Sequence, residues 1–378
     1  MQYKIPFNHS SLWGRELDYV AQAVAAGELA GDNAFTKKCH SLIESTLGVG
    51  KVLLTPSCTH ALEMCAWLLD IEPGDEVIVP SFTFVSTALA FHNRGARIVF
   101  ADVRPDTLNL DEGRLEEKIS SRTKAIVVVH YAGIGCEMDA ILEIANRHGV
   151  PVIEDNAHGL FGKYRGRWLG TMGCMATQSF HATKNFTCGE GGALLINDPR
   201  FSERAEIIRE KGTDRSRFFR GQVDKYSWVD TGSSYLLSEL LAAFLYAQLE
   251  DWQAIQARRQ SIWQRYRDGL ADWADQLGIQ LPAIPAHCEQ AYHMFYLLLP
   301  SLESRQQFIA HLKAQSIESV FHYLPLHLSK MGLRLGGKPG DCPVTEDVSD
   351  RLVRLPFFSD LAVADQERAM EAVLKWRP

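Results

Sequence analysis

Apolar, β-branched runs alternate with helix-length segments between residues 50 and 200. The clearest run, Ala125-Ile-Val-Val-Val129, is apolar at every position rather than at every second one. Strands of this kind are buried on both faces, which is typical of parallel sheets covered by helices on each side. The alternation therefore predicts a three-layer α/β domain around a mostly parallel sheet.

We predict seven strands for this sheet, with helices between the earlier ones and two helices before the first strand. The predicted strands are 51–54, 76–80, 97–101, 125–130, 151–155, 176–180 and 193–196. The predicted helices are 14–26, 35–47, 59–69, 83–93, 111–119 and 138–148.

The rest of the chain predicts a smaller α+β domain, which a long helix over 238–267 connects to the first. The division is a large domain of residues 1–250 and a small C-terminal domain of residues 251–378. The strands of the small domain are expected at 293–299, 319–322 and 352–355, and its helices at 304–314 and 364–375.

Composition and charge argue against several classes of protein. The net charge of −7 and the absence of a basic run disfavour nucleic acid as a partner. No apolar stretch approaches the length of a membrane span, and the first residues lack the apolar core of a signal peptide. We therefore expect a cytoplasmic protein. The eight cysteines form no Cys-x-x-Cys pair and the thirteen histidines no metal-type cluster, so we expect free thiols and no metal.

A turn after the first strand has the features of an anion site. Ser57, Cys58 and Thr59 lie where a helix is predicted to begin, and the free N–H groups of a helix start attract anions. Ser179, at the end of another strand, has a hydroxyl that can reach the same anion. Ordinary helix capping explains the turn equally well when it is taken alone.

Two further strand ends have side chains suited to a flat, nitrogen-containing ring. Phe84 follows a strand at the edge where α/β sheets bind ligands, although Phe82 and Phe84 fit a core role as well. Asp155 ends an otherwise apolar strand, and Glu154 points to the opposite face, which disfavours a metal. A protonated ring nitrogen is a fitting partner for Asp155. His158 either orients Asp155, touches the ring or is structural.

Lys184 lies in an apolar, glycine-rich turn, Ser179-Phe-His-Ala-Thr-Lys-Asn-Phe-Thr-Cys-Gly-Glu-Gly-Gly192. An ammonium group among apolar neighbours loses solvation, which lowers its pKa and makes the amine a nucleophile. A simple turn lysine is the alternative. The anion turn, the aromatic, the acid and the lysine each follow a strand of one sheet, and together they indicate a pyridoxal phosphate site with Lys184 and Asp155 as catalytic residues.

These motifs resemble those of the DegT/DnrJ/EryC1/StrS family of sugar aminotransferases. The resemblance covers essentially the whole chain and implies the fold-type I architecture of aspartate aminotransferase. It rests on Thr-Pro-Ser-Cys-Thr (55–59), Pro-Gly-Asp-Glu-Val-Ile-Val-Pro-Ser-Phe-Thr-Phe (73–84), His-Tyr-Ala-Gly (130–133), Glu-Asp-Asn-Ala-His-Gly (154–159), Ser-Phe-His-Ala-Thr-Lys-Asn (179–185) and Gly-Glu-Gly-Gly (189–192).

The resemblance implies roles for particular residues. Lys184 is the lysine that binds the cofactor, Asp155 pairs with its ring nitrogen, and Phe84 stacks on the ring with His158 beside it. The phosphate is held by Cys58, Thr59 and Ser179. Much of the family has Gly-Tyr-Asn-Tyr-Arg where this chain has Gly-Ser-Ser-Tyr-Leu (232–236), so Ser234 replaces an asparagine that reaches the partner subunit's cofactor.

The resemblance also implies a homodimer with sites at the subunit interface, L-glutamate as amino donor and a dTDP-linked 4-keto-6-deoxyhexose as acceptor. Candidate contacts for the nucleotide sugar are His130, Tyr131, Arg220, Lys225, His322, Tyr323 and His327. Arginine and lysine suit its diphosphate.

Three other functions are weighed against this one. The sugar dehydratases of the same family have histidine in place of the lysine, so the presence of Lys184 disfavours that branch. A nicotinamide oxidoreductase needs a Gly-x-Gly-x-x-Gly motif after its first strand, and the chain has none there. A non-catalytic sugar-nucleotide-binding or regulatory protein stays open, because a fold does not fix a function.

Overall fold

The computed structural model describes residues 3–377 and is built around a seven-stranded sheet. In chain order the strands are β1 (Lys51–Thr55), β2 (Glu76–Pro80), β3 (Arg97–Ala101), β4 (Thr123–Val129), β5 (Val152–Asp155), β6 (Lys163–Tyr164), β7 (Arg167–Trp168), β8 (Met175–Ser179), β9 (Gly192–Ile196), β10 (Cys288–Glu289), β11 (Tyr296–Leu298), β12 (Val320–Phe321) and β13 (Leu352–Arg354).

Helices cover the sheet and make up most of the remaining structure. They are α1 (Glu16–Ala26), α2 (Ala34–Leu47), α3 (Cys58–Leu68), α4 (Ser86–His92), α5 (Met138–His148), α6 (Ser202–Arg209), α7 (Arg215–Phe219), α8 (Glu239–Glu250), α9 (Trp252–Gln276), α10 (Leu302–Ala314), α11 (Lys330–Arg334), α12 (Pro343–Arg351) and α13 (Val363–Lys375). Within residues 3–377 no helix is both long and apolar enough to cross a membrane.

The large sheet has the strand order β1-β9-β8-β5-β4-β2-β3. Only β9 runs against its neighbours, and β1 and β8 both pair with it, so β1 runs in the same direction as β8, β5, β4, β2 and β3. The carboxyl ends of these six strands therefore meet at one edge, which we call the site edge. The predicted mostly parallel α/β sheet is confirmed.

Alternate side chains of each strand face opposite helical layers, as a sheet buried on both faces requires. On one face Leu53, Val127 and Met175 pack with α3, α4 and α6. On the other face Leu54 packs with α2 and α8, while Val128 packs with α5. The sheet thus lies at the middle of three layers and holds the site edge rigidly.

A second, three-stranded antiparallel sheet of order β11-β13-β12 lies in the C-terminal part of the chain. Its core joins side chains of α9, α10 and α13 to those of β11 and β13. The N-terminal segment packs here too, because Ile5 pairs with Ile317 and Phe7 O accepts a hydrogen bond from Phe357 N at 3.0 Å. The division at residues 250 and 251 stays a prediction.

Two predicted helices differ from the structure. Residues 111–119 form two short 3-10 turns, Glu112–Arg114 and Glu116–Lys118, because only Leu115 is fully buried and no apolar stripe supports a longer helix. The long helix over 238–267 is broken at Asp251, whose φ of −101° and ψ of 19° turn α8, packed on the N-terminal helices, into α9. Burial of Trp273 and Ala274 extends α9 to Gln276.

Candidate active site

The turn after β1 forms an anion cradle at the site edge. Ser57 caps α3, and its side-chain oxygen accepts the His60 backbone N–H at 3.2 Å. The N–H groups of Cys58 and Thr59, in the first turn of α3, have no carbonyl acceptor within the helix. Gly192 lies directly against this turn, since a Cβ there would collide with Cys58 N and the Ser57 carbonyl carbon. The close approach of the two backbones thus requires a residue without a side chain at position 192.

Hydroxyl groups surround this cradle. Thr59 Oγ1 and Ser86 Oγ are 2.7 Å apart, and Cys58 Sγ is 3.5 Å from Thr177 Oγ1. Ser179, the last residue of β8, pairs in register with Gly192, so it lies beside the same turn. The structure therefore brings together four of the predicted cofactor residues, Ser57, Cys58, Thr59 and Ser179.

Asp155 is a buried carboxylate with no cationic partner within ion-pair distance among residues 3–377. Its Oδ2 accepts from Thr87 Oγ1 at 2.8 Å, and its Oδ1 accepts from Ala157 N at 3.2 Å. Burial raises the pKa of this carboxyl, although the Thr87 and Ala157 hydrogen bonds and Lys184 act in the opposite direction. A positively charged ring nitrogen at Asp155 would supply the missing counter-charge.

Lys184 lies in the connection between β8 and β9, at the same edge. The turn is held by its own backbone, with Lys184 N donating to His181 O at 2.9 Å and Ala182 N to Gly189 O at 2.8 Å. Burial lowers the pKa of the Lys184 amine to about 8, while Cys58 and Asp155 raise it. Far more of this amine is therefore neutral, and so nucleophilic, at neutral pH than in an ordinary lysine.

His158 belongs to a stack of buried rings beside Asp155. Its ring lies 4.1 Å from that of His293 at an interplanar angle of 16°, and His293 Nδ1 is bonded to Asn185 Oδ1 at 2.9 Å. Burial, with Lys184 and then Arg354, holds the pKa of His158 well below its usual value, so the ring is neutral. His158 Nδ1 is buried and without a hydrogen-bond partner among the described residues.

The two candidate aromatics have different environments. Phe82 is 1% exposed and packs on Tyr131, with ring centroids 5.1 Å apart, so it is a core residue. Phe84 is 58% exposed at the site edge, and its ring centroid is 6.4 Å from that of Tyr323. An apolar ring left exposed there is suited to stacking on a ligand. Sequence reasoning left this choice open, and burial decides between the two.

Three of the predicted substrate contacts are corrected by the structure. His130 is fully buried between Glu154 Oε2, at 2.8 Å, and the Cys136 N–H. His327 is likewise fully buried, between Ser81 Oγ and Glu346 Oε1. Both ring nitrogens of each histidine are thus occupied by protein atoms. Tyr131 is also fully buried, with its hydroxyl 3.0 Å from His322 Nδ1. These three residues support the site from beneath.

The other predicted contacts lie in two places. His322 is buried in the ring stack, and Tyr323 lies between it and Phe84. Arg220 is exposed and pairs with Glu206, which also binds Lys51 at the far end of β1 from the site edge. Lys225 is exposed in the same segment as Arg220, residues 213–230. Ser234 is exposed and pairs with Glu210 through the backbone. Arg220 therefore does not reach Lys184 within one chain.

Several residues of the site were not predicted. Thr87 fixes the Asp155 carboxylate. Asn185 and His293 position the His158 ring. Arg354 has a positive charge that acts to lower the pKa values of Lys184 and His158. A signal existed for two of them, because His293 and Arg354 interrupt apolar segments that were predicted as strands.

A nucleophilic amine, an unpaired buried carboxylate and an anion cradle at one sheet edge define a site for amine–carbonyl exchange on a phosphorylated, ring-nitrogen cofactor. Pyridoxal phosphate fits it: Ser57, Cys58, Thr59 and Ser179 would hold the phosphate, and Asp155 the ring nitrogen. Fold and site together therefore define a pyridoxal-phosphate enzyme of the aminotransferase type.

Comparison with known proteins gives the family. Residues 12–374 match the DegT/DnrJ/EryC1/StrS aminotransferase family, and the chain belongs to this family. The uncharacterized protein MJ1066 of Methanocaldococcus jannaschii is 34% identical over 347 residues, which are 90% of this chain and 89% of that protein.

Solved structures agree with this assignment. The aminotransferase TlmJ from Streptoalloteichus hindustanus is 32% identical with a TM-score of 0.89, over 98% of this chain and 97% of its own. Spr1654 from Streptococcus pneumoniae, solved in a PLP form, is 26% identical with a TM-score of 0.91, over 99% and 98%. The predicted enzyme class, a sugar aminotransferase that depends on pyridoxal phosphate, is confirmed.

Proposed function

We propose that this protein transfers the amino group of L-glutamate to C4 of dTDP-4-dehydro-6-deoxy-D-glucose, giving dTDP-4-amino-4,6-dideoxy-D-galactose and 2-oxoglutarate. The observation that carries the reaction type is Lys184, whose amine has a pKa of about 8 and lies at the same edge as the unpaired carboxylate of Asp155. Such an amine can take a proton from a carbon acid and return it, which is the work of a transaminase lysine.

The choice of this particular nucleotide sugar as the substrate rests on sequence similarity. Residues 209–226 and 320–327 resemble segments of the transaminase that makes this amino sugar for the enterobacterial common antigen, and so does Gly-Ser-Ser-Tyr (232–235). Residues 320–327 include His322 and Tyr323, which lie in the ring stack and beside Phe84. The similarity therefore falls on a segment that borders the proposed reaction centre.

The chain's own residues have separate roles in this proposed reaction. Pyridoxal phosphate, when bound, supplies a carbonyl that exchanges with amines and a ring that withdraws electrons. Asp155 would hold a proton on the ring nitrogen of the cofactor, and Thr87 keeps the carboxylate in place. Lys184 Nζ removes the proton from the donor's α-carbon and later delivers one to C4 of the sugar. His158 is fixed by its stack on His293, and because burial holds its pKa well below the usual value it adds no charge beside Asp155.

A homodimer is part of the proposal. Residues 213–230 form an arm pinned at its base by the Thr213–Trp228 bridge. Phe219 is 68% exposed and Trp228 81% exposed on this arm, and exposed aromatics of this kind mark protein interfaces. We propose that the arm packs against a second copy, which would bring Arg220 and Lys225 to the nucleotide-sugar diphosphate at the partner's site.

The first experiment tests the reaction type. Purified protein loaded with pyridoxal phosphate should have a visible absorption band that L-glutamate bleaches, and Lys184→Ala should lack it. Lys124→Ala, which changes an exposed lysine on β4, is the matched control. A wild-type protein that binds no pyridoxal phosphate would refute the transaminase and favour a non-catalytic binding protein.

The second experiment identifies the product. The protein is incubated with L-glutamate and dTDP-4-dehydro-6-deoxyglucose, and proton NMR couplings at C4 distinguish an axial from an equatorial amine. We expect the axial, galacto product. Couplings that indicate an equatorial amine would identify the product as the gluco epimer. A faster reaction of the UDP-linked sugar would show that the substrate is linked to UDP rather than dTDP.

A further inference from the structure

Arg354 lies on the face of the small sheet that is directed at the active site. Strand β13 alternates: Val353 belongs to the core formed with α9, α10 and α13, whereas Leu352 belongs to a cluster with Phe82 and Tyr131. Arg354 is two residues from Leu352 and so shares its face. Its cross-strand neighbour Tyr296 confirms this direction, since the Tyr296 ring is 5.9 Å from that of Tyr131.

The guanidinium of Arg354 is poorly satisfied. Its Nη2 donates to Phe321 O at 3.3 Å, and its Cζ lies 4.5 Å from the centre of the Phe7 ring. Its Nε is buried and has no hydrogen-bond partner in the part of the chain that the structure describes. No carboxylate lies within ion-pair distance among residues 3–377. The buried Arg259 instead donates to Tyr292 O, His293 O and Ser359 Oγ. Arg354 thus retains donors for which residues 3–377 supply no anion.

The surroundings of Arg354 are uncharged or cationic. Burial is the largest influence on the pKa values of its neighbours: it raises those of Tyr131 and Tyr323 and lowers those of Lys184, His158 and His322. The charge of Arg354 acts to lower all five. The histidines are neutral and the tyrosines protonated. A cation with free donors in such surroundings attracts a carboxylate or a phosphate.

We propose that Arg354 holds a carboxylate of the amino donor, an assignment that rests on the transaminase function proposed above. The α-carboxylate of an amino acid is bonded to the carbon whose proton Lys184 removes, so it must lie close to Lys184. The diphosphate of a nucleotide sugar is separated from C4 by the sugar ring and lies farther away. A planar guanidinium fork also matches a carboxylate through two parallel hydrogen bonds.

The test compares the two half-reactions of the loaded enzyme with Arg354→Gln. Bleaching of the visible band by L-glutamate reports the first, and reaction of the amino-sugar product with the loaded enzyme reports the second in reverse. Loss of a charged hydrogen-bond partner predicts an increase of about 10- to 100-fold in the glutamate concentration for half-maximal rate. In the second half-reaction, the amino-sugar concentration for half-maximal rate should change less than about threefold. Arg368→Gln, which alters an exposed arginine of α13, is the matched control.

Two readouts do not require turnover. Glutarate, a dicarboxylate without an amine, should bind the loaded wild-type protein by calorimetry and bind Arg354→Gln about 10-fold or more weakly. The apparent pKa for the reaction of Lys184 with added pyridoxal phosphate should also rise in this variant. Glutarate binding tests the carboxylate site even if the wild-type protein has no transaminase activity, so the two proposals fail separately.

Several results would overturn the assignment. An equal or larger loss in the amino-sugar half-reaction would assign Arg354 to the diphosphate, and unchanged values in both half-reactions would leave it a structural residue. If Arg354→Gln lacks the visible band or melts at a lower temperature than the wild type, the measurements are made with Arg354→Lys instead. The lysine keeps the charge without the fork. It should bind glutarate with intermediate affinity, and wild-type affinity in this variant would refute the two-bond geometry.

Discussion

The low pKa of Lys184 predicts a particular pH dependence for the reaction of the apoenzyme with pyridoxal phosphate. Burial lowers the pKa from its ordinary 10.5 to about 8. At pH 7 about one-tenth of the Lys184 amine is then neutral, roughly 300-fold more than for an ordinary lysine. Since only the neutral amine attacks a carbonyl, the rate should rise about tenfold per pH unit below 8 and level off above it.

Stopped-flow measurement of the visible band, with apoenzyme and pyridoxal phosphate mixed between pH 6 and 10, gives this profile directly. The neighbouring histidines cannot produce the midpoint, because the pKa values of His158, His293 and His322 lie well below the ordinary value. Lys184→Ala should show no band, and Lys124→Ala should keep the wild-type midpoint. A rate that still rises tenfold per unit between pH 9 and 10 would refute the argument that burial lowers this pKa.

Three substitutions test the rest of the site. Asp155→Asn removes a buried charge, so bleaching by L-glutamate should slow at least about 100-fold; a loss below tenfold would argue against a ring nitrogen at this carboxylate. Gly192→Ala places a methyl group against Cys58 N, so the affinity for pyridoxal phosphate, measured by titration of the visible band, should fall. Unchanged affinity would exclude this turn as the phosphate site. Phe84→Ala should weaken cofactor binding about 2- to 10-fold with little change in melting temperature, whereas Phe82→Ala should destabilise the fold by about 3–5 kcal/mol; the reverse pattern would exchange their roles.

The chain sequence determined the large sheet almost completely. All seven strands lie within about two residues of their predicted bounds, because residues buried on both faces must be apolar throughout and glycines, prolines and polar residues end each run. The common position of Lys184, Asp155 and the Ser57–Thr59 turn at one edge could also be predicted from sequence, since the carboxyl ends of parallel strands meet at one edge wherever they occur in the chain.

Only the tertiary structure decided which polar side chains face the site and which support it. His130 and Arg354 both sit in or next to apolar strand segments, yet His130 is closed in by Glu154 and Cys136 while Arg354 keeps free donors. Phe82 and Phe84 differ in the same way, one in the core and one exposed. Such differences depend on partners that are distant along the chain, such as Glu154 for His130 and Tyr131 for Phe82. Local sequence has no pattern that records whether a hydrogen bond is already satisfied.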